Sequence, residues 1–220
     1  MSSSYASSPA SSSAPSSFDV FRALVAGLRR ANDDVELEQA PHGIESWREI
    51  DLHVAMAQGA VDAGFFVARE QRYPGHRFRR QRTSGRRCDL VVSTAPLRLE
   101  QDVDGPAGSV GAAEAAWIEV KLVKQFHEGG RVNFEWEQAL SSPPLRDVER
   151  LARELGLGLR LVVMIAFVAA VDIARHDLAI WRERVLQHGL VVSDFWLEHF
   201  AVVDRRGHAH CVVAAVVVAA

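Results

Sequence analysis

An uninterrupted apolar run, Leu161–Val171, constrains the fold of this chain more than any other feature. Arg160 and Asp172 bound the run at 11 residues, which is about half the length that a membrane-spanning helix needs. An apolar, β-branched run of this length is typical of a strand that is covered on both faces of a sheet. A second run, Cys211–Ala220, predicts another buried strand. Neither run is long enough to predict a membrane span.

The hydrophobic periods of the remaining chain predict helices and strands that alternate around these two runs. Helices are expected at residues 18–31, 44–63, 141–155 and 177–188. Strands are expected at residues 65–69, 88–92, 116–123, 159–170, 195–204 and 208–218. On the second helix, the period assigns the buried stripe to Trp47, Ile50, Val54, Ala57 and Val61. The order of elements predicts an α/β fold in which a mixed central β-sheet is flanked by helices.

The N-terminal segment is set apart by its composition. Ten of the first 17 residues are serine, and such a segment cannot bury a core. Residues 1–17 are therefore predicted to be a disordered tail, and residues 18–220 a single domain. The N-terminus lacks the apolar stretch of a secretory signal. Because Cys88 and Cys211 each lie in an apolar run, we expect buried reduced thiols and a cytoplasmic location.

The charge balance excludes one class of function and singles out two residues. The net charge is −3, which excludes a chain that binds nucleic acid by bulk charge alone. Of the 25 basic residues, 23 are arginine and only two, Lys121 and Lys124, are lysine. Because the pKa of arginine is too high to share a proton, a chemical role could demand lysine in a chain that otherwise uses arginine.

Three polar residues stand in otherwise apolar strands. Asp89 lies in the second predicted strand, and Glu119 and Lys121 lie in the third. Because side chains alternate faces along a strand, Glu119 and Lys121 point the same way. If the Asp89 strand pairs with this one, its carboxylate converges on the same point. Two carboxylates can hold Mg²⁺ with open water positions, and a lysine beside them can orient or help deprotonate an attacking water.

The pattern Asp89…Glu119-x-Lys121 resembles the PD-(D/E)xK nuclease superfamily, which has the restriction-endonuclease-like fold. The element order is similar as well, and the resemblance covers Ile44–Ala170. One departure is Cys88, which stands where the name of the superfamily has proline. The resemblance therefore predicts a restriction-endonuclease-like arrangement of the sheet.

The resemblance also implies an activity and the residues that carry it. Members are mostly Mg²⁺-dependent nucleases, and we expect Mn²⁺ to substitute for Mg²⁺. Asp89 and Glu119 would bind the metal, and Lys121 would serve the nucleophilic water. Many members add an acidic residue from the preceding helix; Glu49 is the best match, with Glu45 as the alternative.

The segment between the first two predicted strands is dense in arginine. Residues 69–87 hold eight arginines and a single acid, Glu70. Such a segment could track the phosphates of a nucleic-acid strand and guide it toward the metal. The arginines assigned to this role are Arg72, Arg77, Arg79, Arg80, Arg82, Arg86 and Arg87. Tyr73 and Phe78 could stack on bases. A solvated loop, or an anchor for an acidic partner, is the alternative interpretation.

The sequence thus predicts a nuclease that hydrolyses phosphodiester bonds, with DNA favoured over RNA and a homodimer as one possible assembly. The first alternative is a catalytically inactive domain of the same fold that binds nucleic acid or another partner. The second is an unrelated α/β protein with a fortuitous Glu-x-Lys. His53 follows Glu49 by one helical turn, and the sequence leaves open whether it borders the site or is simply packed.

Overall fold

The computed structural model describes residues 14–40, 42–74, 87–98, 109–127, 130–202 and 207–219. Within these residues, helices and strands follow one another in the predicted order. The helices are α1 (Ser17–Leu37), α2 (Glu49–Asp62), α3 (Trp136–Arg153) and α4 (Val171–Gln187). The strands are β1 (Phe66–Arg72), β2 (Arg87–Ser93), β3 (Ala116–Lys124), β4 (Leu159–Val168), β5 (Val192–Ala201) and β6 (His210–Val218).

The strands form one six-stranded sheet in the order β1-β2-β3-β4-β6-β5. Strands β3 and β4 are parallel, and every other neighbouring pair is antiparallel. The prediction of an α/β fold with a mixed sheet flanked by helices is therefore confirmed. Strand β4 lies inside the sheet, and every residue of β4 after Leu159 is buried, as the apolar run requires.

A hydrophobic core lies on each face of the sheet. On one face, Leu161 and Val163 of β4 pack with residues of α1 and α2. On the other face, Val162 and Met164 pack with residues of α3 and α4. The alternation of side chains along β4 thus divides the helices into two layers.

Helix α2 differs from its prediction in both start and orientation. It begins at Glu49, and a separate 3₁₀ helix spans Ile44–Ser46. The predicted stripe is wrong in part, because Val54 and Val61 are about half exposed, whereas His53 is buried. The rotation follows from the contact with α1: a Cβ on Gly59 would overlap the α1 backbone.

Helices α3 and α4 begin earlier than predicted. Helix α3 starts at Trp136, so Pro143 and Pro144 lie inside it and not in its first turn. The Trp136 indole nitrogen donates to Asp177 of α4 at 2.8 Å. This tertiary contact holds the first turn of α3, although two backbone hydrogen bonds are lost at the prolines. Helix α4 starts at Val171, directly after β4.

The structure also bears on the N-terminal segment and on the two cysteines. Ser16 caps α1, which begins at Ser17, and residues 1–13 lie outside the described part of the chain. Cys88 and Cys211 are both buried free thiols. Among the helices that the structure describes, none has the length and hydropathy needed to cross a membrane.

Candidate functional site

The site lies where strand β2 separates from strand β3. The two strands pair from Val92 opposite Ala116 to Leu90 opposite Ile118. Strand β3 then continues beside β4 as far as Lys124. In the described ranges, no strand pairs with the β2-facing edge of β3 after Ile118. We call this the open edge of β3; its backbone N–H groups need partners because it lies in the interior.

Two carboxylates supply those partners. Asp89 Oδ2 accepts a hydrogen bond from the Val120 amide at 2.7 Å. Glu49 Oε2 accepts one from the Leu122 amide at 2.8 Å. Both acids are half-buried. The strand geometry therefore fixes their position, because each carboxylate replaces a missing strand as hydrogen-bond acceptor.

Glu119 is the most deeply buried acid of the site, with 2% exposure. Its Oε1 lies 2.7 Å from Arg150 Nη1 and also accepts a hydrogen bond from the Tyr73 hydroxyl. Burial, with the like charge of Asp89, raises the pKa of Glu119 to about 7, although Tyr73 and Arg150 oppose the shift. The carboxyl group therefore exchanges its proton close to neutral pH.

Lys121 is held in the same place by an acid from α3. Its Nζ lies 3.2 Å from Asp147 Oδ2 and donates to the Val120 carbonyl at 2.9 Å. Burial disfavours its charge, but the surrounding carboxylates, led by Asp147, outweigh burial and raise the pKa of Lys121. The other acids that raise it are Asp89, Glu49 and Glu119. The predicted residues are thus near enough to interact electrostatically, and Lys121 remains a cation.

A second group of side chains lies beside Asp89. His53 of α2 and Glu70 of β1 each offer a ligand atom, and these atoms and one from Asp89 lie within 4.8 Å of one another. His53 is 3% exposed, and burial lowers its pKa. Its imidazole is therefore neutral at pH 7, which leaves a nitrogen lone pair available.

Two sequence-based alternatives are decided by the geometry. Glu45 lies in the 3₁₀ helix before α2, is buried, and accepts from the Gly43 amide at 3.1 Å. It is thus not one turn before Glu49 on a common helix, and Glu49 is the acid that reaches β3.

Tyr73 is 1% exposed and stacks on Trp117, so the expectation that it stacks on bases is wrong.

The arginine segment is described only at its two ends. Arg72 of β1 and Arg87 of β2 are exposed and stand opposite each other in the ladder. Among the described residues, neither forms an ion pair. The other arginines assigned to nucleic acid lie outside the described residues: Arg77, Arg79, Arg80, Arg82 and Arg86. Phe78 lies there as well.

The chain was also compared with known proteins. No protein-family model, curated protein or solved structure matches it. The resemblance to the PD-(D/E)xK superfamily therefore remains a prediction that rests on the residues themselves. The same holds for the restriction-endonuclease-like form of the sheet.

Sequence reasoning gave no role to three residues of the site. Asp147 and Arg150 are three positions apart on α3 and form an ion pair at 2.6 Å. Their spacing puts both on one helix face, and this is the sequence pattern that could have indicated them as a pair. Glu70 was counted only as the single acid of the arginine segment. Its position on the strand that pairs with the Asp89 strand could have indicated its place.

The raised pKa of Glu119 predicts a pH dependence of stability. The folded protein keeps a proton on Glu119 up to about pH 7, whereas the unfolded chain loses it near pH 4.5. In metal-free buffer, the free energy of unfolding should therefore fall between these values, by on the order of 3 kcal/mol through this group. Urea unfolding of Glu119→Gln, which cannot titrate, should lack this decline.

The control is Glu149→Gln on the same helix as Arg150. Glu149 lies 3.8 Å from Arg153 in a partly exposed pair, and its loss should leave the decline in place. Parallel pH profiles for wild type and Glu119→Gln would contradict the assignment.

Proposed function

We propose that this protein is a divalent-metal-dependent nuclease that hydrolyses phosphodiester bonds, with DNA as the favoured substrate. The observation that carries the proposal is the meeting of three carboxylates and one ammonium group at the open edge of β3. Asp89 and Glu49 are fixed there by backbone amides of β3, and Glu119 and Lys121 belong to β3 itself. Acidic oxygens beside a fixed cation are suited to reactions at phosphate.

The donor chemistry supports a hard cation at this place. Asp89 and Glu49 each use one carboxylate oxygen on an amide. In the described part of the chain, no hydrogen bond reaches the other oxygen of either residue. Such oxygens are the ligands that Mg²⁺ and Mn²⁺ take in proteins. A cation bound there would polarise a phosphoryl oxygen and lower the pKa of a bound water.

Lys121 contributes a fixed positive charge and hydrogen-bond donors. Because its pKa is raised, it does not serve as the base that deprotonates water. Its ammonium group can donate to a phosphate oxygen or orient the attacking water. Asp147, at 3.2 Å from Nζ, acts as a positioning residue for that group.

The ion pair between Arg150 and Glu119 favours the alternative of an inactive binding domain. A carboxylate that already accepts from Arg150 and Tyr73 has one oxygen committed to the protein. A domain of this kind would still bind nucleic acid through its arginines but would not cut it. A cleavage assay distinguishes the two functions.

The central prediction uses the two lysines of the chain as a matched pair. Lys121→Ala should lower the rate of cleavage about 100-fold or more, because it removes a charge that faces the transition state. Lys124→Ala should stay near the wild-type rate, because the Lys124 ammonium donates to the Trp47 carbonyl at 2.9 Å. The measurement is cleavage of duplex DNA, single-stranded DNA and structured RNA with Mg²⁺ or Mn²⁺.

Circular dichroism of both variants should match that of the wild type. If the wild-type protein binds these substrates and cuts none of them, the inactive-domain alternative is correct. If both lysine variants cut at the wild-type rate, the role given to Lys121 is wrong.

The paired arginines support nucleic acid as the partner. Arg72 and Arg87 place like charges side by side on neighbouring strands, which destabilises a sheet unless an anion lies between them. A phosphate backbone that passes the end of the β1–β2 pair would supply that anion. The same end of the pair leads to Asp89, two residues after Arg87.

This pair gives a second prediction. Arg72→Ala should weaken DNA binding and reduce the slope of log affinity against log salt by about 1, because one phosphate contact is lost. Arg175→Ala is the control, since Arg175 lies on α4 and pairs with Asp172 at 3.3 Å. Fluorescence anisotropy over a range of salt concentrations measures both slopes. Equal slopes for the two variants would remove the support that Arg72 gives to this partner.

A further inference from the structure

His53 is a buried histidine whose ring has no hydrogen-bond partner. It is 3% exposed, and among the described residues neither Nδ1 nor Nε2 forms a hydrogen bond. A buried polar group without a partner is destabilising, because its desolvation is not compensated. The buried His208 shows the ordinary solution, since its Nε2 accepts from the Phe126 amide at 3.0 Å. Among the described residues, His53 therefore lacks the partner that a buried imidazole needs.

Acidic oxygens lie close to the His53 ring. One ligand atom each from His53, Glu70 and Asp89 lie within 4.8 Å of one another. Two ligands on opposite sides of one ion, each about 2.3 Å from it, are about 4.6 Å apart. The upper bound on the separations of the three atoms is close to this value. In the described residues, Glu70 forms neither a hydrogen bond nor an ion pair. The carboxylates of Glu70 and Asp89 thus lie close to each other and to His53, and among the described residues no basic side chain forms an ion pair with either carboxylate.

The backbone of β1 is distorted at Glu70. Glu70 has a φ of 54° within β1, a conformation that is unfavourable for a residue other than glycine. The ladder is regular on both sides, with Arg69 opposite Leu90 and Gln71 opposite Cys88. The distortion is thus confined to the position that faces Asp89.

Glu119 is less well prepared to bind a cation than Glu70. Its Oε1 already forms an ion pair with Arg150 and accepts a hydrogen bond from Tyr73. A metal there would therefore compete with a guanidinium ion at 2.7 Å. Glu70 is exposed and has no such competitor in the described residues. The donor set on β1, β2 and α2 thus differs from the pair Asp89 and Glu119 that the resemblance implies.

We propose that the cation of this protein is held by His53, Glu70 and Asp89, and that the imidazole donor makes the site select Mn²⁺ over Mg²⁺. Nitrogen donors favour first-row transition ions, whereas Mg²⁺ prefers an all-oxygen shell. The Val120 amide, which donates to Asp89 Oδ2 at 2.7 Å, holds that carboxylate in a fixed orientation. This proposal refines the metal of the proposed nuclease, but cation binding at these residues can be tested without any cleavage.

The test is a titration of the metal-free full-length protein with MnCl₂, followed by loss of the free Mn²⁺ signal in electron paramagnetic resonance. The wild type should bind one Mn²⁺, and Mg²⁺ should compete only at concentrations at least about tenfold higher. Glu70→Gln and His53→Gln should each weaken Mn²⁺ binding about tenfold or more. Glu119→Gln should have a clearly smaller effect, because the Glu119 carboxylate is already bound to Arg150 and Tyr73.

The opposite ranking, with Glu119→Gln strongly weakened and Glu70→Gln unchanged, would overturn the proposal. So would a wild-type protein that binds no Mn²⁺. Glu70 is exposed, so its variant remains informative even if His53→Gln fails to fold. Mn²⁺ binding of the expected pattern without cleavage would support this site and contradict the nuclease function. Cleavage by the wild type, with unchanged Mn²⁺ affinity in Glu70→Gln, would support the nuclease function and contradict this metal site.

Discussion

The site depends on the hydrogen bonds by which two carboxylates take the place of a strand. Strand β2 leaves β3 after three residue pairs, and the amides of Val120 and Leu122 then donate to Asp89 and Glu49. A buried amide without a partner is costly, so the sheet itself needs acids at these positions. The same bonds hold each carboxylate rigidly, with one oxygen left for another ligand. Asp89 therefore serves both as a hydrogen-bond partner of the sheet and as a ligand of the proposed cation.

A dense set of buried charges surrounds this edge. Glu119, Asp147, Lys121 and Arg150 form linked ion pairs between β3 and α3. Buried pairs of this kind add little net stability, because desolvation of the ions offsets their attraction. Their geometry has another consequence: Lys121 remains charged, and Glu119 is occupied by the protein. Beside Asp89, His53 and Glu70 lack such partners in the described residues, and this difference points to the cation position.

Much of the fold could be predicted from patterns along the chain. The apolar run of β4 indicates a strand covered on both faces, and the periods of the other elements give their order. Alternation along β3 also puts Glu119 and Lys121 on one face, beside Asp89 of the neighbouring strand. These predictions succeed because they need only local periodicity and the pairing of adjacent strands.

The remaining features depend on tertiary contacts that no local pattern encodes. The rotation of α2, set by the approach of Gly59 to α1, decides that His53 is buried and that Val54 is not. The start of α3 before its prolines depends on Trp136 reaching Asp177. The positive φ of Glu70 departs from the backbone conformation expected of a strand residue. Such exceptions to local rules concentrate at functional sites.

The most direct test of a cation at the open edge of β3 is anomalous X-ray diffraction from crystals grown with MnCl₂. The account predicts one anomalous peak about 2.0–2.5 Å from a nitrogen of His53 and from carboxylate oxygens of Glu70 and Asp89. A peak between Asp89 and Glu119, with His53 uncoordinated, would contradict the donor set. Fully occupied manganese elsewhere, with no peak beside Asp89, would contradict the metal site altogether.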